Sequence, residues 1–115
     1  MAVPSGSGSE YLKAHYVNNL STTETALITG VANKIYIILM INWCEMNGNE
    51  DELINMKIVS GSDAIMLLDS QQIGPKGSFT WTDKFCISGA DILRTYTTAA
   101  ATIDVNISYI EQNWT

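Results

Sequence analysis

The stretch Lys34-Ile-Tyr-Ile-Ile-Leu-Met-Ile-Asn-Trp-Cys44 decides the fold. It is dense in β-branched and aromatic residues, which pack well on a pleated surface, and so predicts a strand. One parity carries Ile35, Ile37, Leu39, Ile41 and Trp43; the other carries Tyr36, Ile38 and Met40 before Asn42. Successive side chains of a strand point to opposite faces, so this strand is apolar on both. Such a strand lies between two layers, or has its outer face covered by another subunit.

The flanking sequence reads as more strands. Asn47-Gly48 marks a turn within residues 45–51. Residues 52–60 alternate, predicting Ile54, Met56 and Ile58 inward and Asn55 and Lys57 outward. Gly61-Ser62-Asp63 leads into a strand over 64–69, and Gly74-Pro75-Lys76-Gly77 into one over 78–82. Strands come next over 85–87 and 92–97, then a loop over 97–101. A final strand over 102–110 places Ile103, Val105, Ile107 and Tyr109 on one face. On the N-terminal side, residues 11–17 and 25–29 read as strands separated by a polar stretch. No helical period competes. The sum is an all-β chain: an antiparallel β-sandwich or jelly roll of about eight short strands. Residues 1–9, Met-Ala-Val-Pro-Ser-Gly-Ser-Gly-Ser, read as an extended N-terminal arm pinned against a neighbouring subunit in preference to its own domain, with 10–115 as the domain.

A chain of 115 residues is about one average domain. Only 16% of its residues are charged, against the usual ~25%, which suggests a surface partly covered by partners. The net charge is −6, and the six basic residues are spread singly. Nucleic-acid binding requires clustered Lys and Arg, so no direct nucleic-acid partner is expected. No apolar run approaches the roughly 18 residues of a membrane span, and no membrane partner is expected. The N-terminus lacks the basic start and apolar middle of a signal peptide, which points to synthesis in a cytoplasm. There the sequons at Asn19, Asn106 and Asn113 are chance matches. Cys44 and Cys86 lie in apolar segments and are expected as small buried hydrophobes rather than a disulfide.

No catalytic set emerges. His15 is the single histidine and has no neighbouring nucleophile, so it reads as a surface residue of its strand. Glu50-Asp51-Glu52, beside Asn47 and Asn49, lacks the spacing of a calcium loop and reads as solvated. Neither a metal nor a cofactor is expected. Trp43, Trp81 and Trp114 raise the reading of a carbohydrate-binding module, which needs exposed tryptophans on one face. Core packing accounts for the first two, and Trp114 reads as an anchor onto another surface. The partner-contact candidates are Val3 and Pro4 of the arm, Tyr36, Ile38 and Met40 of the doubly apolar strand, and Trp114.

Leu27-Ile-Thr-Gly30, the strand over 34–43, Ile73-Gly-Pro-Lys-Gly-Ser78, Ser88-Gly-Ala-Asp-Ile-Leu93 and Ile103-Asp-Val-Asn-Ile-Ser-Tyr-Ile-Glu111 succeed one another in a familiar order. Over about three-quarters of its length the chain thereby resembles small β-sandwich structural proteins of tailed-bacteriophage particles. The resemblance implies no catalytic residues. It implies a virion component repeated by symmetry: a head decoration (cement) protein that clamps adjacent capsid subunits, or a neck, tail or fibre component. The partners it implies are the major capsid protein or other virion proteins, with homo-dimers or homo-trimers of the chain itself.

Overall fold

The computed structural model describes residues 9–46, 48 and 51–113. Among them nine strands form, all antiparallel: β1 (Ser9–Leu20), β2 (Thr25–Thr29), β3 (Lys34–Glu45), β4 (Glu52–Ser60), β5 (Asp63–Ile73), β6 (Ser78–Trp81), β7 (Phe85–Ser88), β8 (Ile92–Thr97) and β9 (Ile103–Asn113). One sheet has the order β1-β9-β3, with β6 and β7 both pairing the far edge of β3; the other has the order β2-β8-β4-β5. The expected antiparallel sandwich is therefore what forms, with nine strands. β2, β4 and β8 begin and end where the sequence places them. β1, β5 and β9 run longer than expected, and β1 starts at Ser9, one residue inside the expected arm.

The core lies between the two sheets. Ile41, Trp43, Ile103, Val105 and Ile107 enter it from the first sheet, and Ile54, Met56 and Leu93 from the second. β3 reaches it by an irregularity. Ile38 pairs with Tyr109 and Met40 with Ser108, so Leu39 is an extra residue on β3. One extra residue reverses the parity of every later position in the strand. Tyr36 and Ile38 face inward before the bulge; Ile41, Trp43 and Glu45 face inward after it. The break between β6 and β7 falls at the same level, because Trp81 pairs Ile41 and Phe85 pairs Ile38.

A hydrogen-bonded chain of polar groups crosses the inside of the sandwich. The Trp43 indole N–H donates to Thr95 Oγ1 at 3.0 Å, and the Thr95 hydroxyl donates to the Asn55 carbonyl at 2.7 Å. Asn55 corrects an expectation: it lies on the outward parity of β4 yet is buried. The β4–β5 register slips beside it, and Asn55 Oδ1 accepts from Ser70 N at 2.9 Å while Nδ2 donates to Thr98 Oγ1 at 3.0 Å. The amide thus seals a bulge that sequence alternation does not reveal.

Gly30 joins the sheets' ends. Its N–H donates to the Asp91 carbonyl at 2.9 Å, and a Cβ there would lie 2.2 Å from Gly89 O and 2.3 Å from Asp91 O. Both obstacles are backbone, so neither swings aside. Gly30→Ala is expected to cost about 2 kcal/mol or more, read as a lowered denaturation midpoint. An unchanged midpoint would mean the 30–34 and 89–91 loops separate freely.

Candidate functional site

Two carboxylates, Glu111 and Glu24, hold ion pairs among the described residues, and a third, Glu45, accepts backbone N–H groups; each has a structural task. Glu111 sits on the inner side of β9, where Lys13 Nζ and Lys34 Nζ approach its Oε2 at 3.2 and 3.4 Å. Beside it Tyr36 and Tyr109 stack at a tilt, 6.2 Å between ring centres. Burial pushes the Tyr109 phenol above its ordinary value. Glu24, in the loop before β2, receives Lys57 Nζ at 2.6 Å and Arg94 at 3.2 Å. The hydrogen bond from Lys57, aided by Arg94, holds the Glu24 carboxyl below its ordinary value. Four of the six basic residues are thus committed to two carboxylates, which leaves no basic patch for phosphates.

Glu45 is the residue that sequence reading missed. Placed in a turn by its neighbours Asn47-Gly48, it instead ends β3 and is 1% exposed. Its Oε2 accepts Gly48 N and Lys76 N, each at 2.9 Å, tying the loop after β3 to the turn before β6. That turn places Lys76 at φ 59°, a left-handed position that glycine usually takes. Glu52 corrects the acidic-loop reading in the same way, since it belongs to β4 and is buried. Among the described residues no three His, Cys, Asp or Glu side chains converge as a metal site requires.

What remains is surface. Cross-strand partners share a face, so register defines the rows on the outside of the first sheet. Leu12 pairs Ile110, Ile110 pairs Ile37, and Ile37 pairs Cys86: one apolar row crosses β1, β9, β3 and β7. The next row is Ala14, Ser108 and Met40; the one after is Tyr16, Asn106, Asn42 and Thr80. None of these eleven residues is charged, although the protein carries a net charge of −6. Leu12 is 76% exposed and Tyr16 73%.

The contact candidates read from sequence divide on this surface. Tyr36 and Ile38, at 3% and 0% exposure, are committed to the protein's own core. The bulge at Leu39 is the reason, since it turns them inward. Met40 lies beyond the bulge, on the uncharged outer face and half-buried. Val3, Pro4 and Trp114 lie outside the described residues. Cys86 is exposed and Cys44 half-buried, correcting the expectation that both are core hydrophobes. They occupy outer positions because Phe85, Ile87, Trp43 and Glu45 take the inner ones. With Cys86 opposite Ile37, seven residues of strand (roughly 23 Å) separate it from Cys44. Trp43 is buried and Trp81 packs against the core, so neither offers a sugar platform. His15 is exposed on β1.

Leu12 and Tyr16 carried a usable signal. In Tyr11–Val17 the alternation sets Leu12, Ala14 and Tyr16 against Lys13 and His15. Normally the apolar parity faces the core; here it faces out, while Lys13 turns in to meet Glu111. The buried acid on β9 decides the orientation, and residue spacing within β1 alone does not contain it.

No protein-family model matches the sequence, and no curated protein matches it. Solved structures do resemble the fold. A chain from the disulfide-linked pili of Bacillus endospore appendages aligns with TM-score 0.55 and 12% identity, covering 100% of this chain and 97% of that one. A chain from the capsid of Helicobacter pylori bacteriophage KHP30 aligns with TM-score 0.51 and 9% identity, covering 96% and 90%. A pentameric capsid protein from metagenomic phage sequences aligns with TM-score 0.47 and 14% identity, covering 89% and 61%. At these identities the likeness is one of fold.

Two measurements test the ionic assignments. Because the Glu24 carboxyl is depressed, its stabilisation is complete above the unfolded pKa and is lost as pH falls through the folded one. Glu24→Gln should therefore cost less than about 1 kcal/mol near pH 7, and the gap to wild type should close on acidification. A gap that persists in acid contradicts the pairing. Glu45→Ala should cost about 2 kcal/mol, read as a lowered denaturation midpoint, with Glu45→Gln costing less because it keeps an acceptor.

Proposed function

We propose that this chain is a structural protein of a phage particle, acting as a decoration (cement) subunit on the capsid. The observation that carries the reading is the uncharged middle of the first sheet's outer face, between Glu10 and Asp104, with its apolar Leu12–Ile110–Ile37–Cys86 row. An uncharged, partly apolar patch on an acidic protein is what a subunit needs to sit on a neighbour without ionic matching. The strand order supports the same reading. Counting β6 and β7 as halves of one strand, the two sheets have the order of a jelly roll, an architecture at home in viral shells. The likeness to a phage-capsid chain over nearly the whole of both chains supports it further.

In this reading the outer face rests on the major capsid protein and Met40 lies within the contact. The segment before Ser9, with Val3 and Pro4, and Trp114 beyond Asn113 extend the grip to neighbouring subunits. Apolar burial across the seams stabilises the particle at roughly 25 cal/mol per Å² before association costs. A second reading, a fibre component, is favoured by the likeness to the pilus chain, which takes in all of this chain.

Immunogold labelling of phage particles with antibodies to the purified chain separates them. The decoration reading expects regularly spaced label over heads; label on tails or filaments selects the fibre reading. Particles that carry no label reject both.

A further inference from the structure

β1 is the free edge of the first sheet, bonded to β9 on one side and, among the described residues, to no strand on the other. Natural edge strands are usually short, bulged, covered, or guarded by proline or charged side chains, because a bare edge recruits another strand. β1 has twelve residues and no proline. Its single lysine is neutralised by Glu111, and its register with β9 is unbroken from Ser9 to Val17. It also carries Leu12, Tyr16 and Tyr11, which are three of the domain's exposed large hydrophobics, the last 49% exposed.

We propose that β1 pairs antiparallel with β1 of a second copy about a two-fold axis at Ala14, joining two sheets into one. The occupant is fixed by self-complementarity. With Ala14 on the axis, Leu12 of each copy faces Tyr16 of the other on the outer side. On the inner side Tyr11 faces Val17, and Lys13 faces His15. Every exposed hydrophobic of the strand then has an apolar or aromatic partner. Neighbouring registers fail this test. An axis at Lys13 sets two ammonium groups directly opposite and leaves Leu12 against alanine. An axis at Leu12 pairs Ala14 with Glu10 and carries Tyr16 past the start of the partner's strand. The slip between Val17 and Leu20, with Asn19 at φ 59°, ends the ladder after seven residues per copy.

This edge borders the outer face assigned to the capsid and shares Leu12, Ala14 and Tyr16 with it, and the proposal rests on the reading of the chain as an assembling subunit for its purpose. A seven-residue edge is smaller than the ~1,000 Å² of a stable interface. The dimer is therefore weak in dilute solution and gains strength from the local concentration on a particle.

The test is disulfide trapping with purified protein carrying Cys44→Ser and Cys86→Ser. On a two-fold axis, paired Cα atoms lie about 4.5–5.5 Å apart, within the roughly 4.4–6.8 Å that a disulfide accepts. Ala14→Cys should give linked dimer about tenfold faster than Glu10→Cys, which lies on the same face but off the axis. Equal rates overturn the proposal, as does faster linking of Lys13→Cys. Ala14→Lys places like charges on the axis. It should melt as the parent does while losing the concentration-dependent dimer seen by sedimentation; a dimer that survives it overturns the proposal too. Ala14→Cys that links in particles to a capsid chain, and not to itself, assigns the edge to another occupant and overturns it likewise. Particle labelling reads where the chain sits and trapping reads whether two β1 strands pair, so either reading can fail while the other stands.

Discussion

The single extra residue at Leu39 sets the architecture of the first sheet. A strand as apolar as β3 has two faces to cover, and a regular strand would commit one whole parity to the core. The bulge divides the commitment. Tyr36 and Ile38 are buried on one side of it, Ile41 and Trp43 on the other, and the complementary residues Ile37 and Met40 emerge on the outside. β9 keeps a single parity inward, from Ile103 to Glu111, so the slip is confined to β3, and the opposite edge accommodates it by breaking into β6 and β7. The outer face is thus a by-product of how the core is filled.

Much of the fold is legible in the residues because turn chemistry and strand composition are local. Gly30, Gly61 and the Gly74–Gly77 turn punctuate the chain, and β2, β4 and β8 are read to their ends. What is not legible is non-local. Nothing near residue 39 announces a bulge, since it arises from the register that β9 imposes. That is why Tyr36 and Ile38, chosen as contact residues by parity, lie in the core. Asn55 and Glu45 fail for a related reason: alternation turns one outward and a turn signal places the other in a loop, yet backbone N–H groups from residues 15 and 31 positions away come to meet them.

The candidate surface was legible in part. Low charge over the whole chain foretells a covered surface, and Met40 lies on it. Its other members need the three-dimensional register, because Leu12, Ile110, Ile37 and Cys86 come from four distant segments. Electrostatics contributes by subtraction: the basic residues are drawn to Glu24 and Glu111. The middle of the outer face, between Glu10 and Asp104, is left without charged side chains, so an acidic protein keeps a patch that meets other proteins without close ionic conflict.

The β1–β9 pairing has a topographic consequence as well. Ser9 lies opposite Asn113 in the register, so the first residue of β1 and the last of β9 sit side by side at one corner of the domain. A tag or passenger domain fused to either end would emerge from the same place. In a repeating array of such subunits, cargo on both ends would be displayed at a single site per copy, leaving the remaining surface unobstructed.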